Sequence, residues 1–157
     1  MTTTIAATAR ARVLLADDDL AVLSLFHDAL TMAGYDVVAV SDGMQLFQRL
    51  GMYDESPVWL PQFDIVITDV RMPGVTGTEV LEGVATIGGG PRVILMSSFV
   101  DAAAKDAAQR YGAAGLLQKP VPVAALLRAV EAALRAPPVL PALPVLPVLP
   151  VLPVKAV

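Results

Sequence analysis

Short apolar runs alternate with longer amphipathic stretches along most of this chain. Five apolar runs, rich in valine, leucine and isoleucine, predict buried strands over residues 12–16, 36–40, 65–68, 92–97 and 115–118. Five stretches with helical spacing of apolar residues predict helices over residues 20–32, 42–50, 76–85, 101–111 and 123–135. This alternation predicts an α/β fold in which helices cover both faces of a parallel sheet through right-handed crossovers.

The predicted helices carry residues that are typical of helix ends. The apolar face of the first helix is formed by Leu20, Leu23, Phe26 and Leu30. Gly34 follows that helix as a C-terminal cap, and either Ser41 or Asp42 is suited to cap the start of the second helix.

The strand–helix repeats occupy residues 12–136, which are enough for one domain with a full core. Residues 1–11 are small and polar, so we expect a flexible N-terminal segment and no signal peptide. Residues 51–62 form a long connection that contains Trp59. We interpret it as a surface insertion with Trp59 packed back on the domain, or as a docking epitope.

Residues 137–157 form a proline-rich tail built on a Val-Leu-Pro repeat. Proline recurs at every third residue from Pro138 to Pro153, which is the period of a polyproline II helix. The segment 136–154 has no charge, but its prolines exclude a membrane-spanning helix. The tail is a disordered extension, a segment that folds back on the domain, or a ligand for an aromatic-lined groove on a partner.

Composition narrows the class of protein further. The 11 basic and 15 acidic side chains give a net charge of −4 without a basic cluster, so we expect no nucleic-acid partner. There is no cysteine, which excludes disulfides, thiolate metal sites and cysteine nucleophiles. These features favour a cytoplasmic protein with no membrane segment.

Four of the predicted strands end at, or one residue before, a polar side chain that could take part in chemistry. The acidic run 17–19 follows the first strand, Asp69 the third and Lys119 the fifth, and Ser97 ends the fourth. The carboxyl ends of parallel strands meet at one edge of the sheet, where α/β folds bind their ligands. We therefore expect these side chains to lie close together.

Carboxylates and an ammonium at one edge indicate a metal-assisted phosphoryl acceptor. An attacking carboxylate and a phosphoryl group are both anionic, so a divalent cation such as Mg²⁺ is needed to neutralise charge. Asp18 and Asp69 can provide oxygen ligands, and Asp17 can hold a ligating water, although neighbouring strand-end residues point differently and only one of Asp17 and Asp18 is expected to bind directly. Lys119 suits a phosphate oxygen as a compact charge, and the Ser97 hydroxyl can donate to another.

Each of these residues also has a simpler explanation when it is taken alone. An acidic run after a strand often caps a helix, and an aspartate before a Pro-Gly pair is often part of a turn. The phosphoryl-acceptor hypothesis depends on all four strand ends lying at the same edge.

Four segments resemble the receiver domain of two-component response regulators, and the resemblance extends from about residue 12 to residue 135. The matching segments are residues 13–19, 64–74, 93–98 and 112–120. Lys119 also lies 22 residues after Ser97, a separation that fits the family. The resemblance implies a flavodoxin-like, doubly wound five-stranded sheet of order 2-1-3-4-5, the order known for chemotaxis receivers.

The resemblance also assigns roles to individual residues. Asp69 matches the aspartate that a histidine kinase phosphorylates, and Asp17 and Asp18 match the acidic pair, with Asp18 as the direct Mg²⁺ ligand. The carbonyl of Arg71 would complete the metal shell. Ser97 matches the hydroxyl residue that follows the phosphoryl group, and Lys119 matches the phosphate-pairing lysine.

The chain departs from the family pattern at several positions. Leu116 stands where the family has a switch tyrosine or phenylalanine, so phosphorylation must be transmitted without that ring. Thr76 replaces a commoner aspartate, and Arg71 and Phe99 occupy variable positions beside the site, where their bulk should affect the lifetime of the acyl phosphate. We expect the alanine-rich fourth helix to shift with Ser97 on phosphorylation.

The sequence thus predicts a stand-alone response regulator that is not a conventional enzyme. Its partners would be a histidine kinase or phosphotransfer protein and a downstream protein, bound through the tail or the face of the fourth helix, fifth strand and fifth helix. It would signal by phosphorylation-dependent contact or pass phosphate along a relay. The alternatives are a receiver-like scaffold that is never phosphorylated, and a metal-dependent phosphatase. The phosphatase alternative would need a second aspartate two residues after Asp69 as general acid, and Arg71 stands at that position.

Overall fold

A computed structural model describes residues 9–52 and 62–137 of the chain. The strands within these ranges are β1 Arg12–Ala16, β2 Asp36–Val40, β3 Ile65–Asp69, β4 Arg92–Ser97 and β5 Gly115–Gln118. The helices are α1 Leu20–Met32, α2 Gly43–Arg49, α3 Gly77–Ile87, α4 Ala102–Arg110 and α5 Val123–Arg135. The predicted alternation of strands and helices is confirmed.

The strands form one parallel sheet in the order β2-β1-β3-β4-β5. This order confirms the flavodoxin-like, doubly wound fold. Ala16 pairs with Thr68, Asp69 with Met96, and Ser97 with Gln118, so the carboxyl ends of four strands are level with one another.

The core lies in two layers because successive side chains of each strand point to opposite faces of the sheet. Leu14 and Ala16 of β1 join the layer that contains Leu46 of α2 and Val80 of α3. The other layer is formed by the alternate strand residues together with α1 and α5, and its buried members include Val13, Leu15, Phe26, Leu30, Leu126 and Val130. Each fully buried leucine of this kind contributes about 1.5–3 kcal/mol relative to exposure.

Side-chain caps explain where four of the five helices in the described ranges begin. Asp19, Asp42 and Asp101 each accept backbone N–H groups of the following helix. Thr76 and Glu79 form a reciprocal capping box at the start of α3. Asp42, and not Ser41, is therefore the cap of the second helix.

Two predictions concern the ends of α1. The C-terminal cap at Gly34 is confirmed, and the burial of Leu20 is wrong. Gly34 follows the helix with a φ of 97°, and the N–H of Tyr35 reaches back to the carbonyl of Leu30, as in a Schellman motif. Leu20 was expected on the buried face, but it is 68% exposed. As the first helical residue it lies at the end of the sheet, beyond the layer that covers Phe26 and Leu30.

Three predictions lie wholly or mostly outside the described residues. They are the flexible N-terminal segment 1–11, the packing of Trp59 in the long connection, and the polyproline II character of residues 138–153. Among the helices that the structure describes, none has the length and apolar character needed to cross a bilayer. The domain boundaries at residues 12 and 136 remain predictions.

Candidate functional site

The strand ends bring the predicted site residues to one edge of the sheet. Asp17 directly follows β1, Asp69 is the last residue of β3, Ser97 is the last residue of β4, and Lys119 directly follows β5. Asp17, Asp69 and Ser97 are buried there, and the side chain of Lys119 is 16% exposed. We expected these side chains to lie close together. Lys119 is in direct contact with Asp17 and with Asp69, as expected.

Lys119 bridges the two buried carboxylates. Its Nζ donates hydrogen bonds of 2.7 Å to Asp17 Oδ2 and of 2.7 Å to Asp69 Oδ2. The backbone N–H of Lys119 donates to the Ser97 carbonyl at 2.8 Å, which fixes the lysine against the end of β4. The Lys119–Pro120 peptide bond is cis.

Three carboxylates form a compact cluster beside this lysine. One carboxylate oxygen each from Asp17, Asp18 and Asp69 lies within 4.8 Å of the other two. Asp17 points inward and is buried, whereas Asp18 is exposed, in keeping with the different directions expected of neighbouring strand-end residues. A donor set made only of carboxylate oxygens suits a small hard cation such as Mg²⁺, so the residues present fit that ion.

The protonation equilibria of the site reflect burial and the Lys119 bridge. Burial is the largest influence on Asp17 and raises the pKa of its carboxyl, although hydrogen bonds from Lys119 and from the Asp19 N–H oppose the change. Burial alone would lower the pKa of Lys119. Its hydrogen bonds to Asp17 and Asp69, with the charges of both carboxylates, outweigh burial and raise that pKa. Lys119 is therefore a cation throughout the physiological pH range.

The Ser97 hydroxyl is engaged in a local turn. It donates to the Phe99 carbonyl at 2.7 Å and accepts from the Phe99 N–H at 3.2 Å. A bond from this hydroxyl to a phosphoryl group on Asp69 would require the turn to give up its donor bond. The predicted role of Ser97 therefore implies a rearrangement of residues 97–99.

Arg71 connects the end of β3 to the start of α4. Its backbone N–H donates to Asp69 Oδ1 at 3.1 Å, and its guanidinium lies 3.9 Å from Asp101 Oδ2. Sequence reasoning identified Asp101 only as the beginning of a helix, and missed its position beside the site. The acidic residue four positions after Ser97 was the available signal.

Gly77 allows α3 to start against the end of β3. A β-carbon at this position would lie 2.4 Å from the carbonyl oxygen of Asp69. The N–H of Gly77 also donates to the carbonyl of Val70 at 3.0 Å. The close approach holds the end of β3, and with it Asp69, in position.

The position of the family's switch aromatic is occupied by an aliphatic side chain. Leu116 is half-buried and packs against the same core layer as Ala108 and Tyr111. Since Leu116 has no ring to turn between solvent and core, the aromatic rotamer change is absent at this position.

This arrangement of fold and site corresponds to a known family. Residues 13–131 match the family model of the response regulator receiver domain, and the chain therefore belongs to that family. Receiver domains are signalling modules and not conventional enzymes. They generally bind Mg²⁺ at an acidic pocket, and they interact with histidine kinases and downstream effectors.

Individual relatives support the assignment. The chain is 33% identical over 126 residues to the C4-dicarboxylate transport transcriptional regulatory protein DctD of Pseudomonas aeruginosa, covering 80% of this chain and 26% of DctD. It is 36% identical over 139 residues to the virulence sensor protein BvgS of Bordetella bronchiseptica, covering 81% of this chain and 11% of BvgS. The chain thus spans about a quarter or less of the length of these two relatives.

Solved structures agree on the fold. A CheY-like receiver domain protein from Methanospirillum hungatei JF-1 superimposes with a TM-score of 0.70 at 23% identity, over 80% of this chain and 94% of that one. The chemotaxis protein CheY4 of Vibrio cholerae gives a TM-score of 0.66 at 26% identity, over 80% and 99% of the two chains.

Proposed function

We propose that Asp69 accepts a phosphoryl group from a histidine kinase or phosphotransfer protein. The observation that supports this proposal is the pair of 2.7 Å contacts by which Lys119 joins Asp69 to the buried Asp17, within a cluster of three carboxylates. In the absence of phosphate this lysine offsets part of the negative charge. Once a phosphoryl group is attached, the same ammonium is placed to pair with one of its oxygens.

The transfer conserves the phosphoryl group. A carboxylate oxygen of Asp69 forms a bond to phosphorus while the P–N bond to the donor imidazole breaks, and the electron pair of that bond stays on the nitrogen. Hydrolysis restores the free carboxylate of Asp69. A water oxygen bonds to phosphorus, the electron pair of the acyl-phosphate P–O bond returns to Asp69, and both protons of the water leave with inorganic phosphate as dihydrogen phosphate.

Asp17, Asp18 and Asp69 are the side chains that would hold Mg²⁺, together with the carbonyl of Arg71. When bound, the ion supplies charge neutralisation for the phosphoryl oxygens. Asp17 is oriented for this task by the Asp19 N–H, which donates to its Oδ1 at 2.9 Å. A carboxyl must lose its proton before it can bind the ion. Because the pKa of Asp17 is raised, its proton competes with the ion at a higher pH than it would for an exposed aspartate.

Exposed apolar side chains near the acceptor favour a protein as phosphodonor. Leu20 and Phe99, 68% and 69% exposed, lie close in sequence to Asp18 and Ser97. A cleft of about 360 Å³ beside Lys119 is lined by Leu25 and Phe26 of α1 and by Val121. A donor helix with an apolar face would bury the exposed side chains of Leu20, Leu25 and Phe99 and bring its phosphohistidine to Asp69.

Signal output would follow from phosphorylation-dependent contact with a downstream protein, or from onward transfer in a relay. The α4–β5–α5 face and the proline-rich tail are the proposed contact regions. A cytoplasmic location remains a prediction made from the sequence.

The proposal is tested by intact-mass measurement after incubation with a small phosphodonor such as acetyl phosphate, with Mg²⁺ or with EDTA. We expect one phosphoryl group to be added only with Mg²⁺, through a base-labile and acid-stable bond, and no addition to Asp69→Asn. A wild-type protein that stays unmodified would favour the scaffold alternative. Sustained turnover of a phosphomonoester would favour the phosphatase.

A further inference from the structure

Arg71 makes contact with the acceptor through its backbone and with α4 through its side chain. Its N–H donates to Asp69 Oδ1 at 3.1 Å, so the side chain starts within a few ångströms of any group attached to Asp69. Its guanidinium lies 3.9 Å from Asp101 Oδ2. These two contacts join the acceptor carboxylate to the first residues of α4.

Asp101 divides its two carboxylate oxygens between two partners. Oδ1 accepts the N–H of Ala104 at 2.8 Å and caps the start of α4, while Oδ2 faces Arg71. A change in the position of Arg71 therefore alters the surroundings of the residue that caps the start of α4.

The ion pair between Arg71 and Asp101 is weak enough to exchange. The two side chains are 72% and 42% exposed, and exposed pairs at this separation gain little and are screened by salt. A phosphoryl group carries about −1.5 to −2 charges and three acceptor oxygens, and guanidinium binds such a group in a bidentate fashion. The phosphoryl group is thus the stronger of the two partners.

We propose that Arg71 is an exchangeable clamp, which pairs with Asp101 when Asp69 is free and transfers to the phosphoryl group when Asp69 is phosphorylated. This inference rests on the proposed function. Transfer of the guanidinium removes the side-chain link between Arg71 and Asp101, which joins the residues after β3 to the start of α4. It gives the protein a route from the site to the α4–β5–α5 face that does not need an aromatic ring at position 116.

The packing of α4 suits such a release. Ala104 is the buried residue of this helix, and the other residues of Ala102–Arg110 are exposed or only half-buried. A helix that buries so little side-chain surface has few core contacts to oppose a shift of its first turn.

Asp101→Asn is the most informative variant. Asparagine caps a helix about as well as aspartate, so α4 keeps its start while Arg71 loses its ionic partner. Asp106→Asn is the matched control, because Asp106 forms an ion pair with Arg110 at 3.1 Å on the same helix but has no link to Arg71. The ligand is beryllofluoride with Mg²⁺, an analogue of the phosphoryl group, and its affinity is measured by calorimetry.

We expect Asp101→Asn to bind beryllofluoride about twofold to fivefold more tightly than the wild type, because Arg71 no longer has to leave a partner. Asp106→Asn should match the wild type. Arg71→Ala should weaken binding, Arg71→Lys should restore part of it, and Arg71→Ala combined with Asp101→Asn should equal Arg71→Ala alone. Amide shifts of residues 101–104 caused by the ligand should shrink in Arg71→Ala.

Equal affinities for the wild type, Asp101→Asn and Arg71→Ala would overturn the inference. The proposed function would still stand if the wild type binds the analogue and is phosphorylated on Asp69. If the wild type binds no analogue and takes up no phosphate, the proposed function and the clamp both fail.

Discussion

The ammonium of Lys119 lies 2.7 Å from the carboxylate of Asp69, at the edge of the sheet where β3 and β5 end. The distance is that of a charge-assisted hydrogen bond, and the lysine side chain is largely shielded from water. The same ammonium also pairs with Asp17. Lys119 thus balances part of the negative charge that a bound cation would otherwise neutralise. Its ammonium also lies where it can pair with a phosphoryl group on Asp69.

Replacement of Lys119 by methionine should lower stability and raise affinity for Mg²⁺. Asp17 and Asp69 would lose their shared cation, and we expect a loss of about 1–3 kcal/mol in the free energy of unfolding without metal. The more negative pocket should bind Mg²⁺ more tightly, which denaturation with and without the ion would detect. Phosphorylation by acetyl phosphate should slow at least tenfold.

Lys105→Met provides the control for this prediction, because Lys105 is an exposed residue of α4 and its loss should leave stability and Mg²⁺ affinity unchanged. If Lys119→Met bound Mg²⁺ no better than this control, the ammonium would not compete with the cation.

Replacement of Ser97 by alanine should separate phosphorylation from its effect on α4. The variant loses the hydroxyl that bonds to Phe99 in the free protein and that we expect to turn toward the phosphoryl group. Asp69 should still be modified, whereas the amide shifts of α4 on adding beryllofluoride should decrease. Ser97→Thr keeps the hydroxyl and should behave as the wild type, and identical α4 shifts in all three proteins would argue against a role for this hydroxyl.

Two glycines of α3 should respond in opposite ways to alanine. At Gly77 the new methyl group would meet the backbone oxygen of Asp69 at 2.4 Å, and we expect a cost of about 1–3 kcal/mol with slower phosphorylation. At Gly83 the neighbour is the terminal methyl of Met52, a side-chain end that can move aside. Gly83→Ala should therefore be neutral or stabilising by up to about 1 kcal/mol, since alanine favours a helix.

Urea denaturation of both glycine variants tests this difference. Equal stability of Gly77→Ala and Gly83→Ala would show that the close approach of α3 to Asp69 is dispensable.

The capping box of α3 should make part of the stability depend on acidic pH. Hydrogen bonds from the Thr76 N–H and hydroxyl hold the pKa of Glu79 below its usual value. The folded state therefore favours the carboxylate, and its contribution is present above the usual glutamate pKa and is lost as the pH falls through the folded value. Because Glu79 is exposed, we expect only about 0.5 kcal/mol.

The comparison of Glu79→Gln with the wild type measures this contribution. The variant should be less stable at pH 7, and the difference should vanish near pH 2, where both side chains are neutral. Glu82→Gln, farther along α3, should track the wild type across this range. A difference for Glu79→Gln that does not change with pH would assign the effect to packing.

The strands and helices, and their alternation along the chain, followed from local patterns in the sequence. Asp42 and Gly34 mark helix ends because capping depends on a few neighbouring residues, and the strands were recognisable because both faces of a parallel sheet are buried. Leu20 shows the limit of helical periodicity, because a helix can project beyond the layer it covers. The residue types at the four strand ends indicated the edge where the site lies.

The sequence did not allow us to predict the contacts between side chains from distant segments. The bridge from Lys119 to two carboxylates and the ion pair of Arg71 with Asp101 depend on rotamers and on strand register to within one residue. The turn between Ser97 and Phe99 likewise depends on the backbone after β4. The family pattern indicated which residues lie at the site, but not which of them contact one another.

Site mapping of the phosphorylated protein shows directly whether Asp69 is the residue that accepts the phosphoryl group. The wild type is incubated with acetyl phosphate and Mg²⁺, digested under acidic conditions and analysed by fragment-ion mass spectrometry. We expect the phosphoryl group on Asp69 and no modification of Asp69→Asn. A phosphoryl group on another residue, or equal modification of Asp69→Asn, would show that Asp69 is not the acceptor.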